Sequence, residues 1–143
     1  MQALRARGAH VDARGKDGDT QLHYATRNSD LTAMENLLEM GADVNAPNAR
    51  GRTPLHLATT ENDVDAVRLL VRRGANLNAG DHNGTTPLHY AAQSGSLETA
   101  RLLVQSGANV NARDSSGRTP LAMARQAGNT QLANLLRSAG GVE

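Results

Sequence analysis

One phrase returns four times along this chain. Thr86-Pro87-Leu88-His89-Tyr90-Ala91 repeats Thr53-Pro54-Leu55-His56-Leu57-Ala58, and worn copies read Thr20-Gln21-Leu22-His23-Tyr24-Ala25 and Thr119-Pro120-Leu121-Ala122-Met123-Ala124. The copies start at 20, 53, 86 and 119, a constant step of 33. A fixed period of roughly 20–50 residues marks an array of stacked units, each too small to bury its own apolar face.

One period, residues 78 to 110, shows what the unit is made of. Asp81-His82-Asn83-Gly84 is turn chemistry, with Asn-Gly supplying a positive φ. Thr86 suits an N-cap, and Pro87 suits the first helical position, where a missing N–H costs nothing. The pattern predicts a short helix from Leu88 to about Gln93, stopped near Gly95, and a second from Leu97 to Gln105, capped by Ser96 and ended by Gly107. The second-helix caps form a column of Asp30, Asp63, Ser96 and Asn129, all favoured in that role. Helix-ending glycines fall at Gly8, Gly41, Gly74, Gly107 and Gly140, and turn glycines at Gly18, Gly51, Gly84 and Gly117.

Composition agrees with thin helices lying close together. The chain has 38% apolar residues but no Phe, Trp, Ile or Cys, so Leu, Ala, Val and Met must fill the core. The formal net charge of +1, with almost no aromatic residues, supplies neither the electrostatic nor the stacking contribution that nucleic-acid binding requires. Without cysteine there is no disulfide or thiolate chemistry. No apolar run suits a signal peptide or a membrane span, so the expectation is a cytoplasmic, monomeric protein without membrane contact.

With G-x-TPLHxAA, a GAxVNA segment and the period of 33, the chain resembles the ankyrin repeat over nearly its whole length. The resemblance implies an all-α repeat solenoid: helix-turn-helix pairs stacked side by side, with β-turn fingers projecting at about a right angle. As one domain, 1–143 divides into a partial repeat at 1–13, repeats at 14–46, 47–79 and 80–112, and a C-terminal capping repeat at 113–143. Met1–Arg7 aligns with the closing half of a second helix, so the array is expected to begin in mid-repeat. Arg125 stands where Thr26, Thr59 and Ala92 stand in earlier copies, as a cap with a polar outer side requires.

Catalytic and ligand motifs fare poorly. His23, His56 and His89 occupy one place in successive repeats, roughly 8–10 Å apart if helices pack normally, whereas ligands must approach one zinc to about 2 Å. A hydrogen bond from each to its own Thr cap is the expected role, and the ankyrin resemblance implies the same. Asp81-His82-Asn83-Gly84 opens like a calcium loop, but its glycine comes two residues early and no closing Glu follows. Asp17, Asp19, Glu61, Asp63 and Asp65 read as solvated turn and cap residues. Gly15-Lys16 lacks the preceding Gly and following Ser or Thr of a phosphate loop, and Asn83-Gly84-Thr85 reads as a turn before it reads as a glycan acceptor. Tyr24 and Tyr90, sharing a column with Leu57 and Met123, are expected to pack inward. No catalytic residue, metal or cofactor is expected.

What remains is surface, and the ankyrin resemblance implies a concave face that grips a partner protein. Its fingertips carry Lys16, Asp17 and Asp19; Ala49, Arg50 and Arg52; His82, Asn83 and Thr85; and Ser115, Ser116 and Arg118. Its inner-helix edge carries Arg27, Asn28, Thr60, Glu61, Gln93, Ser94, Gln126 and Ala127. These columns vary most between copies. The expectation is a non-catalytic protein-binding module whose contacts are polar and led by arginine; the alternatives are a structural or designed scaffold without a partner, or a regulatory segment of a larger protein.

Overall fold

The computed structural model describes residues 11–143; the half-helix expected over 1–7 and Gly8 lie outside them. Eight α-helices follow one another in four antiparallel pairs among the described residues: α1 (Gln21–Arg27) with α2 (Leu31–Glu39), α3 (Pro54–Thr60) with α4 (Val64–Arg72), α5 (Pro87–Ser94) with α6 (Leu97–Gln105), and α7 (Pro120–Gln126) with α8 (Thr130–Ser138). The odd-numbered helices pack on one another in an inner row, and the even-numbered ones form a looser outer row. Each inner helix lies against its own partner and against its neighbours in the inner row, which is the stacking the period requires.

The helices begin where the sequence says they do. Thr20, Thr53, Thr86 and Thr119 hold extended backbone at the N-caps of the inner helices, and Pro54, Pro87 and Pro120 take the first turn. In the outer row Asp30 and Asp63 accept the backbone N–H of Ala33 and Ala66 at 3.1 and 3.2 Å. Ser96 and Asn129 depart from the expected cap role. Their side chains make no cap bond and instead donate to carbonyls of the preceding pair, Ser96 Oγ to Thr59 at 3.5 Å and Asn129 Nδ2 to Ala92 at 2.8 Å.

The residue joining the two helices of a pair must turn left-handed. Gly95 and Gly128 do so at φ 78°, but Ser29 and Asn62 occupy the same column at φ 54° and 52°. A side chain there meets its own backbone at a cost of about 1–2 kcal/mol, less for Asn. Asn62 also has compensation, since its Oδ1 accepts a hydrogen bond from the buried Thr99 hydroxyl at 2.6 Å.

Leu22, Leu55, Leu88 and Leu121 fill the inner core, and Leu37, Leu70, Leu103 and Leu136 fill the space between rows, all buried. Between them two adjacent columns trade bulk. Ala33 and Met34 become Ala66 and Val67, then Thr99 and Ala100, then Leu132 and Ala133. Across the array bulk passes from the second position to the first, from Met34 beside Ala33 to Leu132 beside Ala133, so each seam has its own shape in an interior packed to high density. Arg125 is exposed, whereas Thr26, Thr59 and Ala92 in its column are buried against the following pair. Tyr24 does not pack inward: it is 42% exposed and lies over Gly15, and Tyr90 is half-buried. Leu57 and Met123 in the same column are buried.

Two outcomes are expected in urea melts. Leu70→Ala should lower stability by about 2–5 kcal/mol, and Leu136→Ala by an amount of the same class, because Leu136 is as fully buried as Leu70; the terminal place of the last pair gives it no exposure. Ser29→Gly should raise stability by roughly 0.5–1 kcal/mol by relieving the left-handed strain, whereas Gly95→Ala should lower it, since a Cβ there would stand 3.2 Å from Asn129 Oδ1.

Candidate protein-binding face

The face is built from the fingers and from the inner helices they are bonded to. His23 sets the pattern. Its Nδ1 accepts the Thr20 backbone N–H at 3.0 Å, which leaves the proton on Nε2, and Nε2 donates to the Arg52 carbonyl 2.8 Å away. His56 repeats this with Thr53 and the Thr85 carbonyl at 2.9 Å, and His89 with Thr86 and the Arg118 carbonyl at 2.8 Å. Each ring therefore ties its own cap, as expected, and also seizes the finger of the next pair, which the sequence did not disclose. Both nitrogens of each ring are committed to these bonds. Among the described residues no group of three or more His, Asp or Glu side chains gathers in a way that could hold a metal ion.

Fingers also bond directly to fingers. Ala49 N–H donates to the Asp17 carbonyl at 3.0 Å, His82 N–H to Arg50 at 3.1 Å and Ser115 N–H to Asn83 at 2.9 Å. A second ladder runs behind them, in which the side-chain oxygens of Asp12, Asn45, Asn78 and Asn111 accept the backbone N–H of Asp43, Asn76, Asn109 and Val142. The approach is close enough that a Cβ on Gly18 would stand 2.6 Å from the Ala49 nitrogen.

Beneath the fingers lie carboxylates that the sequence misrepresents. Asp19 was expected to be solvated, yet it is buried, bonded to Asn48 Nδ2 at 2.9 Å and paired with Arg27. Asp81 and Asp114 are buried as well; each accepts two backbone N–H groups of its own finger, where Asn48 does the same in the second finger. Burial pushes the Asp81 carboxyl up, but hydrogen bonds from the Tyr90 hydroxyl and from the Asn83 and Thr85 N–H groups outweigh it and hold the carboxyl below 3.8. At Asp114 the same contest ends the same way, through the Arg118 and Ser116 N–H groups. Tyr90 stands edge-on to His56 at 5.6 Å, with the Arg52 guanidinium 5.3 Å from its ring centre.

The predicted surface residues divide accordingly. Lys16, Asp17, Arg27, Arg50, Thr60, Glu61, His82, Asn83, Gln93, Ser94, Ser115, Ser116 and Arg118 are exposed, and Arg52 is half-buried. Thr85 and Asp19 are buried and leave the list of contact candidates. A hollow of about 250 Å³ between finger and inner helix brings together Asp17, Arg27, Arg50 and Arg52, floored by Asn48. The next, of about 290 Å³, brings together Arg52, Asn83, Gln93, Ser115, Ser116 and Arg118. Lys16, Thr60, Glu61, His82 and Ser94 stand outside both. Tyr90 and Met123 line the second hollow and were missed, because their column reads as core in the sequence.

The family model for ankyrin repeats, in three copies, matches residues 1–81, 22–114 and 75–143. The chain belongs to the ankyrin repeat family. No curated protein matches it. Ankyrin repeats are in general protein–protein interaction modules on a typically non-catalytic fold. Among the described residues no helix of this ankyrin chain is long and apolar enough to cross a membrane.

The histidine relay gives the stack a pH dependence. Burial is the largest influence on His23 and His56, and it lowers both below 6.5 in spite of their carbonyl partners. The unfolded chain therefore takes up protons first, so this stability is present above 6.5 and is lost as pH falls through the folded values. Urea midpoints should drop between about pH 7.5 and 5.5, in the range where His titrates, before Asp81 and Asp114 contribute below 3.8. A midpoint constant over that range would contradict the relay.

Proposed function

We propose that the chain is a non-catalytic module that binds a partner protein through its concave face and fingertips, as a monomer and as a single domain over 1–143 made of a partial repeat at 1–13, the repeats 14–46, 47–79 and 80–112, and a capping repeat at 113–143. One observation carries the reading. Most of the exposed residues that vary between copies line adjoining hollows, while the buried residues beneath them are consumed in hydrogen bonds that fix the fingers. Arg27 and Arg118 are each held from below by a buried carboxylate, so little side-chain freedom is lost when a partner docks. Arginine suits such contacts because its planar fork matches carboxylates and carbonyls.

The test is retention of partners from an extract of the source cells by the wild-type chain and by Arg50→Ala/Asn83→Ala/Ser115→Ala, with circular dichroism confirming that the variant melts as wild type does. Bound partner should fall at least about tenfold, equivalent to 1.4 kcal/mol. Undiminished retention by the folded variant would sink the reading, and no retention by either chain would favour a scaffold without a partner.

A further inference from the structure

The hollows between fingers and inner helices are not separate dimples. The first and second share Arg52 as their common wall. The second and a third, of about 220 Å³, share Gln93, Arg118 and Met123. Together they form one groove running across the stack, perpendicular to the helices.

Its charge is layered. Asp114 lies buried at the floor, Asp19 and Asp81 are buried behind the lining, and the guanidinium groups stand toward solvent, with one exposed carboxylate, Asp17, beside Arg27 and Arg50 in the first hollow. Arg27 and Arg118 are each engaged on one edge, Arg118 through Nε and Nη2, both 3.1 Å from Asp114 Oδ2. Arg52 comes no closer than 3.8 Å to Asp81, beyond hydrogen-bond reach, and Arg50 forms no ion pair among the described residues. Arg50, free of ion pairs, and Arg52, backed by the Tyr90 ring, therefore stand together where the first hollow meets the second. Arg118, with donors to spare, stands where the second meets the third. Between them the half-buried Tyr90 ring and the buried Met123 side chain offer a small apolar contact within the otherwise polar lining of the second hollow.

Arg52 and Arg118 are separated by two helix-pair steps, roughly 16–20 Å at 8–10 Å per packed helix. An extended chain covers that span in about five or six residues at 3.3 Å each.

We propose that this groove takes an extended acidic segment of a partner protein, with carboxylates at its two ends about five or six residues apart and an apolar side chain between them over Tyr90 and Met123. The proposal rests on the concave-face reading above and adds the chemistry of the ligand. The carboxylates take bidentate hydrogen bonds from Arg50 and Arg52 at one end and from Arg118 at the other. Because Asp114 fixes Arg118 and the Tyr90 ring backs Arg52, charge and spacing are both read, and attraction weakens as salt screens it.

The probe is a fluorescein-labelled peptide carrying a Glu pair, a four-residue Ala/Leu stretch and a second Glu pair, followed by fluorescence polarisation at low ionic strength. Three comparison peptides replace Glu by Lys, cluster all four Glu at one end, or replace Leu by Ser. Arg50→Glu and Arg118→Gln, each checked for folding by its thermal melt, should weaken binding of the spaced acidic peptide about tenfold. Arg68→Glu, on the outer helix α4, should leave it unchanged. The clustered and Ser peptides should bind several-fold more weakly, and the Lys peptide not at all. No binding of the acidic peptide, equal binding of the clustered or Lys peptide, or indifference to both groove variants would overturn the proposal.

A second arm separates this failure from failure of the concave-face reading: an unbiased displayed peptide library is selected on the wild-type chain and rescreened on Gln93→Trp, which fills the groove. Ligands lost on Gln93→Trp but lacking acidic residues would overturn the acidic assignment and keep the concave face. Ligands indifferent to Gln93→Trp would overturn both.

Discussion

Each imidazole of the repeat holds two pieces of chain at once, and the surface of the protein depends on that double grip. Nδ1 fixes the start of one inner helix, and Nε2 fixes a carbonyl 29 residues further on, in the next finger. The finger carries no apolar mass of its own to anchor it. Without the ring it would be a turn held by its own backbone and by the neighbouring fingertip. With it, the spacing between a helix and the next finger is set by one aromatic ring, and that spacing is the width of each hollow. At His23 and His56 burial and this grip both favour the neutral ring: Nδ1 serves as an acceptor, and a proton there would leave the Thr N–H facing a donor.

The polar interior is therefore as repetitive as the apolar one. Leucines supply the burial, but it is the histidines and the Asn ladder that decide how one pair sits on the next. In these bonds a side chain of one repeat satisfies a backbone group of the following repeat. Such bonds contribute modestly to net stability, yet leaving a buried donor unpaired is costly. That asymmetry makes the register between pairs specific rather than merely favourable.

What could be read in the sequence was whatever each repeat does for itself. The Thr caps, the prolines at the first turn, the second-helix limits at Leu97 and Gln105 and the positive-φ glycines follow from local rules, and the structure places them where the pattern put them. The resemblance carried by the Thr-Pro-Leu-His phrase likewise led to the right family. The illegible part was whatever one repeat does for another. Asp19 looks like a solvated turn residue until Asn48 arrives from the next finger, and Ser96 and Asn129 look like caps until the carbonyls of Thr59 and Ala92 compete for them. Tyr24 and Tyr90 misled for a related reason: a column that holds Leu57 and Met123 suggests core, whereas the finger above it offers an edge where a hydroxyl can reach polar atoms.

The trade of bulk between neighbouring columns, from Ala33 with Met34 to Leu132 with Ala133, bears on how such a chain can evolve. Its four modules share a length and a grammar, so recombination could reorder them without disturbing any turn or cap. The seams would object. A module shaped to sit beside valine would find itself beside methionine or alanine, with a bump or a gap at the boundary. The order of these modules is thus written into the shapes of their flanks, and this array is better regarded as a sequence of matched neighbours than as interchangeable beads.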